Sequence, residues 1–284
     1  MKSILLLCLT ISFNTFAYRV YDTQNAKYIN KSDFHEQIKL IDQFVLGEFH
    51  YDLEIQQTEA DIIQDIVKER NLEKKFTIAW EFLNYPDQEK LDSSMTKYKN
   101  NLISSIDIIK EFFPGEKNTE MNKSYVPLFD VAKKLDGQFI ATNAPREWKS
   151  VITKKDISEL SKDKIPANMS EGSTDYFDRF ENIMGGHVKK EMLKKYFTAQ
   201  SYTDSVISTS INKLAENDLQ FLVIGAFHSD FNDGVIPKLN SVSNKEAVTI
   251  KIINPKELDQ SDIEQYLNGS ELYGQYARYI ILTK

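Results

Sequence analysis

A succession of short, continuous apolar runs separated by stretches of helical periodicity constrains this chain more than any other feature. Phe44-Val45-Leu46 ends at Gly47-Glu48-Phe49-His50, and Phe76-Thr77-Ile78-Ala79-Trp80 ends at Glu81. Gln138 to Thr142 leads to Asn143 and Arg146, and Gln220 to Ile224 ends at Gly225-Ala226-Phe227-His228. Ala247 to Ile253 and Tyr276 to Leu282 read as closing strands. Between the first two runs, Ile55, Ile62, Ile63, Ile66 and Val67 fall on one face of a helix over Leu53 to Arg70. Runs that are apolar throughout, rather than alternating, belong to strands buried on both faces. The expected fold is therefore α/β, a mostly parallel sheet with helices on both faces.

Two charge-rich helical segments carry no strand, about 86–120 and about 150–215. The first contains a helical pattern from Asp87 to Phe113, broken by Pro114-Gly115, and a short helix follows from Tyr125 to Leu135. Both segments read as helices inserted at the end of the sheet, forming a smaller lobe and a cleft beside it.

The N-terminus has a different pattern. Lys2, an apolar stretch from Ile4 to Phe13 and the residues Thr15-Phe16-Ala17 form the layout of a secretory signal peptide over 1–17, leaving 18–284 as the folded domain. Cys8 sits inside the apolar stretch rather than after it, so a lipidated cysteine is not expected. Loss of that segment removes the only cysteine, and with it any disulfide, thiolate metal site or cysteine nucleophile. It also removes Lys2, leaving 34 basic against 42 acidic residues and a net charge of −8. An acidic chain without a run of five basic residues is not a nucleic-acid binder. No later stretch is long and apolar enough for a transmembrane helix. The expected location is periplasmic or secreted, with peripheral attachment to the outer membrane left open.

The chemistry gathers where the strands end, which is where open parallel sheets bind ligands. Glu48, His50, Glu81, Asn143, Arg146 and His228 all stand at such ends. Gln200 and Asp204, four apart, share a helix face that can look into the cleft. His50, Glu81 and His228 could hold a divalent cation, with Glu48 joining them or serving as general base. The same groups could equally form a hydrogen-bonded network that orients an organic ligand. The Gly-x-x-His pattern occurs twice in a chain with four histidines, at 47–50 and 225–228. His35 reads as exposed on a polar helix, and His187, after Gly185-Gly186, is a weak candidate ligand. No G-x-S-x-G, P-loop or H-E-x-x-H is present.

These segments resemble a family. Gly47-Glu48-Phe49-His50 with Gln56 or Gln57 downstream, Trp80-Glu81-Phe82, Asn143-Ala144-Pro145-Arg146, Ala199-Gln200 with Asp204, and Gly225 to His228 followed by Gly234 and Pro237 occur in the order seen in ChaN-like haem-binding proteins of the Tiki/TraB-type superfamily. The resemblance spans roughly residues 40 to 240. It departs at Phe82, where a methionine is expected after the glutamate, and in lacking a lipoprotein cysteine. It implies a parallel sheet with flanking helices and a small helical domain. It also implies haem binding in iron uptake, as for ChaN, or metal-dependent peptide hydrolysis, as for Tiki. Haem, or a divalent metal in the second case, is the cofactor so implied, a small molecule is the partner, and a homodimer remains open. A tyrosine is the iron ligand that the haem-binding relatives suggest; Tyr51, Tyr85, Tyr176, Tyr196 and Tyr202 lie near the motifs without one standing out.

Overall fold

The computed structural model describes residues 17–184 and 188–284. Residues 1–16, which hold Cys8 and nearly all of the expected signal peptide, lie outside the described residues, as does His187. The described chain opens with a hairpin, β1 (Arg19–Asp22) and β2 (Lys27–Ile29), then α1 (Lys31–Ile38), β3 (Gln43–Glu48), α2 (Leu53–Glu69) and β4 (Phe76–Asn84). Helices α3 (Gln88–Lys99), α4 (Ser105–Phe112), α5 (Glu116–Asn122) and α6 (Val126–Lys134) lead to β5 (Gln138–Asn143). Then come α7 (Arg146–Lys154), α8 (Thr174–Met184), α9 (Lys190–Leu214), β6 (Leu219–Gly225), α10 (Val235–Val242), β7 (Ala247–Ile253), α11 (Gln260–Asn268) and β8 (Tyr279–Leu282).

The eight strands form one sheet in the order β2-β1-β8-β7-β3-β6-β4-β5. Pairings from β8 through β5 are parallel, and only the β1 hairpin runs antiparallel, so the expected α/β class holds. Side chains alternate between faces. Phe44, Leu46, Ile78, Trp80, Phe221 and Val223 pack with α2, α3, α4 and α6 on one side. Val45, Ala79, Leu222 and Ile224 pack with α9 and α10 on the other. Covering both faces is what makes the runs apolar throughout.

The hairpin was not expected. It is held by Asp22, fully buried, whose carboxylate accepts from Arg278 Nη1 at 2.5 Å, the Asn25 side chain at 2.7 Å and the Gln24 and Asn25 backbone amides. The expected single helix over 87–113 divides in two. Asn101 takes a left-handed φ of 59°, and Leu102 N donates to Lys97 O at 2.9 Å, closing α3 as asparagine commonly does. Ser104 and Asp107 then form a capping box that starts α4.

The two inserted segments differ in kind. Leu91, Met95, Ile108 and Ile109 of the first belong to the main core, so α3 and α4 lie on the sheet face. The second has small cores of its own, one around Ile152, Leu160 and Tyr202 and another around Tyr176, Phe180 and Phe197. His35 is also buried, at 9% exposure on α1, contrary to its polar surroundings in sequence. Among the described residues, no helix is long and apolar enough to cross a membrane.

Burial opposes charge on Asp22, yet Arg278 and the amide donors hold its carboxyl well below the usual range. Asp22→Ala leaves Arg278 without its partner and is expected to destabilise the protein by about 3 kcal/mol in denaturant unfolding. A loss under about 0.5 kcal/mol, the level of an exposed ion pair, would show that the hairpin is held by other contacts.

Candidate functional site

The register of three adjacent strands builds the site. Glu48, at the end of β3, lies opposite Gly225, at the end of β6, while Trp80 of β4 lies opposite Val223. A register shift after Trp80 frees the end of β4, and Glu81 Oε2 accepts the Gly225 backbone N–H at 2.7 Å. Adjacent strands stand about 4.8 Å apart, so the groups beyond these three ends must meet.

They meet over Gly225. A Cβ there would come within 2.7 Å of His50 Cε1 and Nε2 and 3.5 Å of Glu81 Oε2. Gly47 is equally tight, since a Cβ would fall 2.5 Å from Ser229 Oγ. Both Gly-x-x-His glycines are thus set by close approach rather than by a special backbone angle.

Two charge networks flank this point. On the α2 side, Glu48 is buried at 2% exposure and surrounded by donors. Tyr125 Oη donates to its Oε1 at 2.6 Å, His50 Nδ1 lies 3.0 Å from the same oxygen, and Gln56 Nε2 donates to Oε2. Gln56 rather than Gln57 is the glutamine that matters, for Gln57 is exposed and bonds Asp61. Burial opposes charge on His50, but the Glu48 carboxylate prevails and holds the imidazole above its ordinary value. Burial pushes the Glu48 carboxyl up. Walled in this way, Glu48 reaches the site only through His50.

On the α9 side, His228 is held between two acids. Its Nδ1 lies 2.5 Å from Asp204 Oδ1 and its Nε2 3.3 Å from Glu81 Oε1. The Gln200 side-chain amide is 3.0–3.1 Å from both ring nitrogens and 3.0 Å from Tyr176 Oη, which in turn donates to Asp204 Oδ2 at 3.2 Å. Burial penalises charge on both partners, yet mutual attraction wins: His228 is pushed up to about 10 and Glu81 pulled down to about 2. Burial raises Asp204, and His228 offsets only part of that.

The strands do bring His50, Glu81 and His228 together, and each ring nitrogen of His228 faces a carboxylate. Among the described residues, no group of three or more His, Cys, Asp or Glu is arranged to hold a metal ion.

Beside His228 a cleft of about 370 Å³ opens between the sheet end and the second inserted segment. Its walls include Glu81, Gln200 and His228, together with Lys149, Tyr196 and Met184. Lys149 is the residue that the sequence reading missed. Asn143, at 8% exposure, accepts from its Nζ at 3.2 Å, whereas Arg146 is exposed at the start of α7 and does not line the cleft. The candidate tyrosines also separate. Tyr176 and Tyr202 are fully buried, and Tyr85 packs against Trp148. Tyr51 and Tyr196 are 40% and 38% exposed. Tyr51, at a left-handed φ of 66°, stands with its ring 5.7 Å from Phe82 and 5.9 Å from His50, and Phe82 lies 4.7 Å from His50.

Behind Glu48, Glu59 of α2 is fully buried with neither carboxyl oxygen hydrogen-bonded. Burial, then the charge of Glu48, raises its carboxyl well above the ordinary value of 4.5. The folded state keeps a proton that the unfolded chain releases above that value, so this group costs stability as pH rises. Glu59→Gln is expected to gain on wild type by about 1.4 kcal/mol for each pH unit through that window. A variant that instead loses stability at pH 8, measured by denaturant unfolding, would show that Glu59 is charged.

A family model described as haem-binding uptake, Tiki superfamily, ChaN matches residues 34–239. Among solved structures, ChaN of Campylobacter jejuni, described for its cofacial haem binding, superposes with a TM-score of 0.69 at 18% identity, covering 94% of this chain and 97% of that one. The type III effector HopBA1 superposes at 0.45 with 9% identity, covering 86% and 88% of the two chains. No curated protein matches the sequence. The expected resemblance is therefore shown, and the likeness to the Campylobacter protein is one of fold. The chain belongs to the ChaN haem-binding uptake family of the Tiki superfamily.

Proposed function

We propose that the protein binds haem across the carboxyl edge of its sheet, on the face made by His50, Tyr51 and Phe82, and serves iron uptake outside the cytoplasm. The observation that carries this reading is an accessible aromatic face beside a set of fixed charges. Tyr51 is 40% exposed, and Phe82 is half-buried between Tyr51 and His50. Clustered exposed apolar side chains on an otherwise polar surface mark a binding site more often than a packing accident. A flat macrocycle gains both from removal of apolar area from water and from ring-to-ring contact.

The residues present fit the group. Tyr51 is an oxygen ligand of the kind that ferric haem accepts, and its hydroxyl has no hydrogen-bond partner among the described residues. Burial, then the negative charge of Glu48 and Glu81, raises its phenol above the ordinary value, so the free site keeps that proton. His50 stands beside it with Nδ1 tied to Glu48, a fixed polar neighbour. Bound haem would supply an iron centre open to such ligands; the chain supplies the aromatic contacts, the ligand oxygen and the charge around it. The export half of the proposal is supported by the N-terminal pattern ending at Ala17, just before Tyr18, which is buried in the fold.

Titrating purified protein with ferric haem should give saturable binding and a Soret band distinct from free haem. Tyr51→Phe should change the ferric spectrum and weaken binding roughly tenfold, the scale of about 1.4 kcal/mol, while Tyr196→Phe should leave the spectrum unchanged. Absence of a saturable spectral change in wild type would refute haem binding, and an unaltered Tyr51→Phe spectrum would move the iron elsewhere.

A further inference from the structure

We infer that Lys149, beside His228, is the anion subsite of the cleft and takes a carboxylate side chain of the bound tetrapyrrole. The inference rests on the haem reading above and adds a residue that neither the motifs nor the family match assigns. Lys149 lies on α7, whose buried Ile152 fixes the phase: a residue three positions earlier shares its face, so Lys149 turns inward while Arg146 remains exposed. It lines the cleft with Glu81 and His228. Among the described residues its one hydrogen bond goes to Asn143 Oδ1 at 3.2 Å, leaving two of the three ammonium donors to be met.

The charges around it are spoken for. Glu81 spends one oxygen on the Gly225 amide and the other on His228, and Asp204 is engaged by His228 and Tyr176. The acid nearest in charge to Lys149 is thus already paired, and Lys149 remains a cation facing a cleft rather than half of an ion pair. Burial lowers its ammonium value, with Glu81 working against that and Arg146 adding to it. A partly desolvated ammonium gains most from an anion that brings its own charge into the cleft. Glu81 of the cleft and His50 of the aromatic face both close on Gly225, so a tetrapyrrole held on that face would have the cleft within reach of a carboxylate arm.

Haem and its dimethyl ester separate the two parts of the reading, because the ester keeps the ring and iron but removes the anions. Wild type should bind ferric haem roughly tenfold or more tightly than the ester, the scale of one charge-assisted hydrogen bond. Lys149→Met should bind the two alike, at the wild-type ester affinity, and Lys149→Arg should restore most of the preference. The methionine variant keeps the aliphatic stem, and its thermal melting alongside wild type checks that it is folded. Full discrimination retained by Lys149→Met would overturn the subsite while leaving haem binding intact. Failure of wild type to bind either compound would overturn haem binding itself, and the subsite with it.

Discussion

An imidazolium buried between two carboxylates fixes the site of this protein. Three charges out of water cost far more than they return unless each has a partner at contact distance, and here each does. Glu81 ties His228 to the Gly225 backbone, Asp204 ties it to α9, and Tyr176 donates its hydroxyl to Asp204. The second inserted segment is thereby bound to the sheet edge by a charge network as well as by its own apolar clusters. That network fixes one wall of the cleft and leaves the Glu48–His50 arm to shape the other.

The arrangement also decides between chemistries that the residue types alone left open. His, Glu and His at neighbouring strand ends suit a divalent metal in principle. In the structure both nitrogens of His228 face carboxylates, and among the described residues no group of three or more His, Cys, Asp or Glu is arranged for a metal ion. Glu48 is likewise committed to Tyr125, Gln56 and His50. Accessible among the described residues are the rings of Tyr51 and Phe82 beside His50, and a cleft lined by Lys149.

Much of this was legible in the sequence. The strands of the parallel sheet announced themselves because burial on both faces demands apolar side chains at every position, and the residues closing those runs were the ones that met. The β1 hairpin was not legible: its strands are short, and its anchor is an ion pair between Asp22 and Arg278, 256 positions apart. Tyr125 was missed for the same reason, since nothing local marks it as a partner of Glu48, 77 residues away. Arg146 was preferred to Lys149 because it belongs to a motif, yet the helical phase set by Ile152 favoured Lys149 and was there to be read. Tyrosine choice needed burial, which no spacing reveals.

The charge state of His228 is the point on which the rest turns, and nitrogen-15 NMR of the imidazole ring reads it directly. Across pH 5 to 8.5 both ring nitrogens should remain protonated, with deprotonation only near 10, because the attraction of Glu81 and Asp204 outweighs the cost of burial. A neutral His228 at pH 7, titrating near an ordinary imidazole value of about 6.5, would contradict the ion-pair network and reopen the metal site.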